Sequence, residues 1–317
     1  MTPRFDPKEP QCSLESLAGR FQHFRGIFDP LLALKSLDEI SAAQQLLRDY
    51  EEGRFVENSE DDSAQLWEAR RLKEASVHPQ TGEVIPLPFR MCSFVPVNVP
   101  VCLGMLTATS PSAALFWQWF NQSYNVAVNY YNGNKTNPQS TAQVATAYAL
   151  AVTVSCFLAH GLSRLAERAT LSPLVKSVAR FGVPYMAVAA AGTVNVMCMR
   201  SNEWFDGIDV FDDDGHRVGT SVEAGRRALL QTMLTRVVLP IPIIAVPGMI
   251  MSLMERMPVV RQNPRLKLPL NLAVITCTLL PALPFSVGLF PQFPTVSGAA
   301  LEDKFHAYDT LHYNKGL

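Results

Sequence analysis

The residues best placed to do chemistry are five carboxamides in a stretch that carries no charge. Gln118, Asn121, Asn125, Asn129 and Asn132 are spaced 3, 4, 4 and 3. On a helix that spacing draws one continuous polar stripe. Gln122 and Ser123 lie beside it, and Trp117, Phe120 and Tyr124 supply another face. The whole set falls within residues 91–134, which contain no Asp, Glu, Lys or Arg. Amides taken out of water need partners, from neighbouring helices, water or a solute. Each offers donors and an acceptor without net charge, which suits a small polar or zwitterionic solute. Gln118, Asn121, Asn125 and Asn129 are therefore expected to face the solute path, with Gln122 and Ser123 beside them. The competing reading is that the stripe joins helices, as buried amides do in bundles.

Other residues point to less chemistry. Thr193 and Asn195 sit in an apolar stretch before Arg200, where a helix–helix hydrogen bond accounts for them. His160 lies near the end of another such stretch and reads as interfacial. Arg236 opens a third, and is expected to snorkel to the headgroups. The acidic run Asp212-Asp213-Asp214-Gly215 invites a calcium reading. With Gly215 in the sixth loop position, however, Val210 and Ser221 stand where Asp and Glu are required. A β-hairpin around Asp214-Gly215 fits better. The histidines (His23, His78, His160, His216, His306, His312) have no metal-ligand spacing, and the six cysteines form no C-x-x-C. No metal or cofactor is expected. No G-x-x-x-x-G-K-[ST] loop, Ser-His-Asp set, HExxH or nucleophile elbow is present. ATP-driven pumping and enzymatic activity are therefore not expected.

The elements that must position the stripe follow from the charge pattern. Only 17% of the 317 residues are charged, against about 25% in average soluble domains. Of 28 acidic residues, 16 lie in residues 1–90. Four more charge-free blocks follow the first, at 136–163, 181–199, 237–254 and 268–301. This excludes a single soluble domain, a collagen, a coiled coil, a disulfide scaffold and a disordered chain. A bilayer core of about 30 Å takes a helix of about 20 residues. Ser112–Tyr131, Ala142–Leu162, Phe181–Met199, Val237–Met254 and Leu268–Phe290 are expected to span. Residues 93–108, broken by Pro96 and Pro100, form a sixth, short or re-entrant candidate. Basic residues in the loops are too evenly shared to orient the chain.

Residues 1–90 read as soluble and helical. One apolar face is expected from Phe5 to Phe28. Ser36 and Glu39 make a capping box for a second helix, and Ser63 is expected to cap a third through Ala75. His78 to Glu83 reads as a turn. The fold class is thus all-α: a polytopic transmembrane helical bundle with a soluble helical N-terminal segment (1–90). The membrane domain is placed at 91–290, with a hairpin-containing loop at about 200–222, and a tail at 291–317. Net charge is −1, so nucleic acid is not an expected partner; a polar solute and the lipid bilayer are. The N-terminus has neither an apolar signal core nor an Arg-rich amphipathic presequence, so targeting is expected to be internal.

The chain resembles the sideroflexin family over nearly its whole length, from about Gly19 onward. Gly19-Arg20-Phe21-Gln22-His23-Phe24 followed by Asp29-Pro30 is similar to the family opening. His78-Pro79-Gln80-Thr81-Gly82-Glu83 resembles its HPDTGE segment, with Gln80 in place of Asp, and Leu31 stands where Arg is common. Phe116-Trp117-Gln118-Trp119, Asn121-Gln122-Ser123-Tyr124-Asn125 and Asn129-Tyr130 match its most distinctive block. Leu289-Phe290-Pro291-Gln292 and Tyr313-Asn314-Lys315-Gly316-Leu317 match its C-terminal signatures. Gly207-Ile208-Asp209-Val210 and the run from Thr235 to Pro242 look closest to the fifth-paralogue branch. The resemblance implies about five transmembrane helices, no cleaved presequence and an address in the mitochondrial inner membrane. It implies secondary transport of small amino acids, serine above all, feeding one-carbon metabolism. For the branch resembled, it also raises tricarboxylates such as citrate. A non-transporting assembly protein is the alternative from another class.

Overall fold

The computed structural model describes residues 3–7, 9–133, 140–168 and 173–316. The side chains of His160 and Ala187, and Leu317, lie outside the described parts. The first helix, α1 (Leu17–Ile27), starts later than its apolar spacing predicts. Pro7 and Pro10 have no N–H to give a helix, and the preceding chain stays irregular. Ser16 caps α1, accepting from the Gly19 N–H at 3.0 Å. Phe5 instead anchors the irregular arm edge-on against Tyr50 and Trp67. Helix α2 (Leu37–Glu51) opens with the expected Ser36–Glu39 capping box. Helix α3 (Glu60–Ser76) is capped four residues before the expected Ser63, because Ser59 and Asp62 form a capping box of their own.

The turn after α3 is closed by the His78 ring. Its Nδ1 accepts from the Gln80 and Thr81 N–H groups, at 3.2 and 3.3 Å. The proton therefore sits on Nε2, which donates to the Gly133 carbonyl at 3.0 Å. That bond ties the N-terminal segment to the end of the amide-bearing helix. The tie is backed by a shared core: Phe24, Leu66 and Trp67 pack in one cluster with Phe94, Tyr124 and Leu279.

The remaining helices are α4 (Phe94–Thr107), α5 (Pro111–Asn132), α6 (Thr141–Arg168), α7 (Pro173–Met199), α8 (Ser201–Phe205), α9 (Val222–Val238), α10 (Pro240–Met254), α11 (Pro258–Gln262) and α12 (Lys267–Val287). Helix α5 packs on α6, α6 on α7, α7 on α9, and α10 on α12. Helices α4 and α5 approach closely at Gly104, where a Cβ would collide with the Trp117 indole. The protein is thus mostly helical. Among the described residues three helical stretches are long and apolar enough to cross a membrane: Thr141–Leu158, Val222–Met254 and Pro264–Val287. Met91–Thr107 and Val188–Met199 are shorter apolar helices. Helix α5 has the length, about 33 Å at 1.5 Å per residue, but its amides dilute its hydropathy. Its outer face still bares Phe116, Trp119 and Phe120, and Phe157 on α6 and Met249 on α10 are likewise exposed. Large apolar side chains bared together mark a surface that meets lipid. The chain is a multi-pass membrane protein.

One departure from an all-helical chain follows α8. The strands β1 (Ile208–Phe211) and β2 (Arg217–Ser221) form the expected hairpin, turning through Gly215 at φ 82°. The tail adds β3 (Thr295–Val296) and β4 (Leu311–Tyr313), completing an antiparallel sheet of order β2-β1-β4-β3. Ile208, Val210, Leu311 and Tyr313 bury its inner face with Ala224 and Ala228 of α9. In the exposed turn, ligand atoms of Asp212, Asp214 and His216 come within 4.8 Å of one another. One Asp212 oxygen is already engaged by the His216 N–H at 2.7 Å.

Candidate functional site

The amide helix meets α7, α9 and α10 at a small internal cavity of about 70 Å³. Gln122, Asn125 and Asn129 line it from α5, Gly192 and Asn195 from α7, Arg236 from α9, and Leu239 and Pro240 from the junction of α9 with α10. Gln122, Asn125 and Asn129 are spaced 3 and 4, so Gln122 belongs to the facing stripe rather than beside it.

Asn129 is the hub. Its Nδ2 donates to Asn195 Oδ1 at 2.8 Å, and its Oδ1 accepts from an Arg236 terminal nitrogen at 2.8 Å. Two donors of the set stay unpaired and out of water: Asn195 Nδ2 and Arg236 Nε. Buried donors are nearly always bonded in folded proteins, so an unpaired pair beside a cavity asks for an acceptor. The cavity also presents acceptors. Gln122 Oε1 and Asn125 Oδ1 take no hydrogen bond from the described residues. Donors against one end of a solute and amide oxygens against the other match a carboxylate and an ammonium.

The other expected residues stand back from the cavity. Asn121 Oδ1 accepts from Asn125 Nδ2 at 3.4 Å. Gln118 Oε1 accepts from Ser155 Oγ at 3.4 Å, and Ser155 in turn accepts from Gln122 Nε2 at 3.1 Å. Ser123 faces another way, bonding the Trp119 carbonyl at 2.8 Å and the Tyr148 hydroxyl at 3.0 Å. Asn132, the last amide of the stripe, ties α5 to the Phe89 carbonyl at 2.9 Å. Three residues of the site are thus not legible as such in sequence. Asn195 reads as helix glue, Ser155 goes unnoticed, and Arg236 reads as a snorkelling side chain. Arg236 instead turns inward, and just beyond it the α9–α10 rod keeps helical dihedrals at Leu239 (φ −53°, ψ −44°) while its hydrogen-bond ladder is interrupted by proline. Pro240 and Pro242 fall in the first turn of α10, where a missing N–H costs no helical bond of its own. Those two prolines offer no N–H to the Arg236 and Val238 carbonyls of α9, and Tyr185 donates to the neighbouring Val237 carbonyl at 3.3 Å.

Arg200, the other buried arginine near this site, is already well partnered. It makes a bidentate pair with Glu203 (2.7 and 2.6 Å), donates to Thr232 Oγ1 at 2.9 Å and holds the Lys315 carbonyl at 2.6 Å. This buried knot fastens the tail under α7 and α9. Lys315 is buried with it. Burial, with repulsion from Arg200, Arg236 and Arg20, pushes its ammonium down to about 7. Among the described residues that line the cavity, Arg236 is the one cation, and no carboxylate joins it.

Comparison with known proteins agrees with the motifs. The sideroflexin family model matches residues 6–317. A Dictyostelium discoideum protein named Sideroflexin is 37% identical, covering 99% of this chain and 98% of its own length. Human Sideroflexin-5 is 39% identical, covering 99% and 94%. Bovine Sideroflexin-1 is 34% identical, covering 100% and 99%. No solved structure matches. The match runs through the amide helix, the α9–α10 rod and the pinned tail alike, and the chain belongs to the sideroflexin family.

Proposed function

We propose that this chain is a secondary transporter of small polar amino acids, serine-like, in the mitochondrial inner membrane, with no catalytic chemistry of its own. The observation that carries the reading is the cavity where, among the described residues, Arg236 Nε and Asn195 Nδ2 lack acceptors and the oxygens of Gln122 and Asn125 take no hydrogen bond. A zwitterion with its carboxylate on Arg236 and Asn195, and its ammonium on Gln122 and Asn125, satisfies all four. Gln118, Asn121 and Ser123 act behind this set, holding α5 in register. The volume, about 70 Å³, favours a solute of a few heavy atoms, since a water's share of the liquid is about 30 Å³. Prolines interrupt the hydrogen bonds of the α9–α10 rod beside the cavity, and proline-interrupted spans recur at transport sites. We assign five spans, adding α5 and the end of α7 to the three apolar stretches, with residues 1–90 and 291–317 outside the bilayer. A role in supplying one-carbon metabolism follows if serine is the solute.

One observation favours a second reading. The charge lining the cavity is positive and lacks a counter-charge, which suits an anion such as citrate. Uptake of labelled serine, alanine, cysteine and citrate by purified protein in liposomes separates the two. Saturable amino-acid uptake supports the first reading. Citrate uptake alone supports the second. Folded, inserted protein that moves none of them is a membrane assembly protein.

A further inference from the structure

A second region of the molecule pairs an apolar groove with a mixed one that carries charge. The first, of about 810 Å³, runs between α10 and α12 and is almost wholly apolar. On α12 it extends from Ala273 to Phe285, about 18 Å at 1.5 Å per residue. Half of a bilayer core is about 15 Å, so the groove is as deep as one leaflet. The second groove, of about 800 Å³, adjoins the first toward the α1 side, and the two share Phe21 and Pro281 in their walls. Its polar lining is Arg25, Arg71, Gln22 and Asp29, set among apolar residues such as Phe28 and Leu31. Among the described residues neither Arg25 nor Arg71 makes an ion pair or a side-chain hydrogen bond. Arg71 lies over Gly26, where a Cβ would stand 3.2 Å from its Nε. The carboxylate in this groove, Asp29, already accepts from the Leu31 N–H at 3.0 Å. The local balance is one net positive charge.

We propose that these joined grooves are a binding site for an anionic phospholipid, with acyl chains along α10 and α12 and the phosphodiester on Arg25 and Arg71. An apolar channel one leaflet deep, joined at Phe21 and Pro281 to a groove holding two guanidinium groups unpaired among the described residues, has the shape and charge of such a lipid. Arginine forks match phosphate oxygens bidentately. Arg20 fixes the geometry of the junction: it holds the Gly288 carbonyl at 2.6 Å, locking α1 over the end of α12. The lipid fastens the soluble helices to the membrane helices at that seam.

The test uses the full-length protein, delipidated in a non-ionic detergent and titrated with phosphatidylglycerol or phosphatidylcholine of identical chains. Bound lipid and oligomeric state are both read by native mass spectrometry. Basic side chains at a membrane surface favour the anionic lipid by on the order of tenfold for this net charge. The double variant Arg25→Gln/Arg71→Gln is expected to bring the two affinities together, and Ala245→Trp, which fills the apolar groove, to weaken both. Equal affinities in the unmodified protein, or a preference untouched by the double variant, overturn the proposal. So does competition by inorganic phosphate as strong as that by the lipid, because the apolar groove then contributes nothing. If Ala245→Trp splits a dimer and leaves lipid binding intact, the groove is a contact between copies of the chain and the proposal fails. Circular dichroism of each variant shows that the helices persist.

Discussion

Replacing Asn129 by aspartate separates the solute-binding reading of the cavity from a purely structural one. Asn129 Oδ1 accepts from Arg236 at 2.8 Å, and a carboxylate there accepts the same bond. The lost Nδ2 donor is recovered when the Asn195 amide turns over and presents its unpaired Nδ2. The fold therefore loses little, because no buried charge is left without a partner. The solute loses a great deal. The new carboxylate neutralises Arg236 and occupies the place of the solute's own. A hydrogen bond to a charged group is worth about 1.5–3 kcal/mol, so affinity falls by about 10- to 150-fold. The assay is initial-rate uptake of labelled serine into liposomes below saturation, with the variant's melting temperature measured in parallel. The expected result is a fall in uptake of that size with melting within a few degrees of the parent. Unchanged uptake in Asn129→Asp refutes the assignment of Arg236 to a solute carboxylate. Parallel loss of uptake and of folding refutes the claim that the hub is electrostatically replaceable.

Other perturbations have different readouts. Asn125→Ala removes a cavity acceptor and lowers uptake, whereas Asn121→Ala acts only through Asn125 and lowers it less; equal rates for both in liposomes would contradict the geometry. Gly104→Val drives a side chain into the Trp117 indole and costs about 1–3 kcal/mol by overpacking, visible as a lowered denaturation midpoint. Glu203→Gln leaves Arg200 charged, buried and half-partnered, at a cost of about 3–5 kcal/mol, with the tail becoming sensitive to protease. Lys315 gives a pH dependence. Its ammonium titrates near 7 in the folded chain and near 10.5 when unfolded. Between those values the unfolded state binds the extra proton, so stability rises with pH. Below about 7 the full cost of burying the charge is present. Hydrogen exchange of the tail amides should slow from pH 7 to 10 after correction for intrinsic rates, and Lys315→Met should abolish the trend.

The parts of the fold legible in sequence are those written in local chemistry. The Ser36–Glu39 box, the Asp214-Gly215 hairpin and the charge-free blocks each depend on residues within a turn or a span of each other. The departures are local too. Ser59 competes with Ser63 as a cap, and it wins because Asp62 completes a box with it. Apolar spacing alone starts α1 too early, because Pro7 and Pro10 interrupt it. The tail strands had no such signature. β4 is three residues long and exists because β1 offers it an edge about a hundred residues earlier.

The site divides along the same line. Its amide half lies on one helix and shows in the spacing of α5. Its other half comes from Asn195, 66 residues from Asn129, and Arg236, 107 residues from it. No local pattern links residues so far apart, and the rule applied to Arg236 points outward: a cation at the start of an apolar run goes to the headgroups. The rule fails because it assumes an unbroken helix facing lipid. At Leu239 and Pro240 the rod is interrupted, polar amides stand opposite, and Gly192 leaves room for the arginine stem, with a Cβ there 3.5 Å from Arg236 Cβ. Under those conditions a guanidinium on a polar cavity costs less than one drawn across apolar side chains to the interface. The same reasoning explains why α5 falls short as an apolar span. Its amides lower the hydropathy that marks a membrane helix, so the residues that make the cavity also hide the helix that carries them.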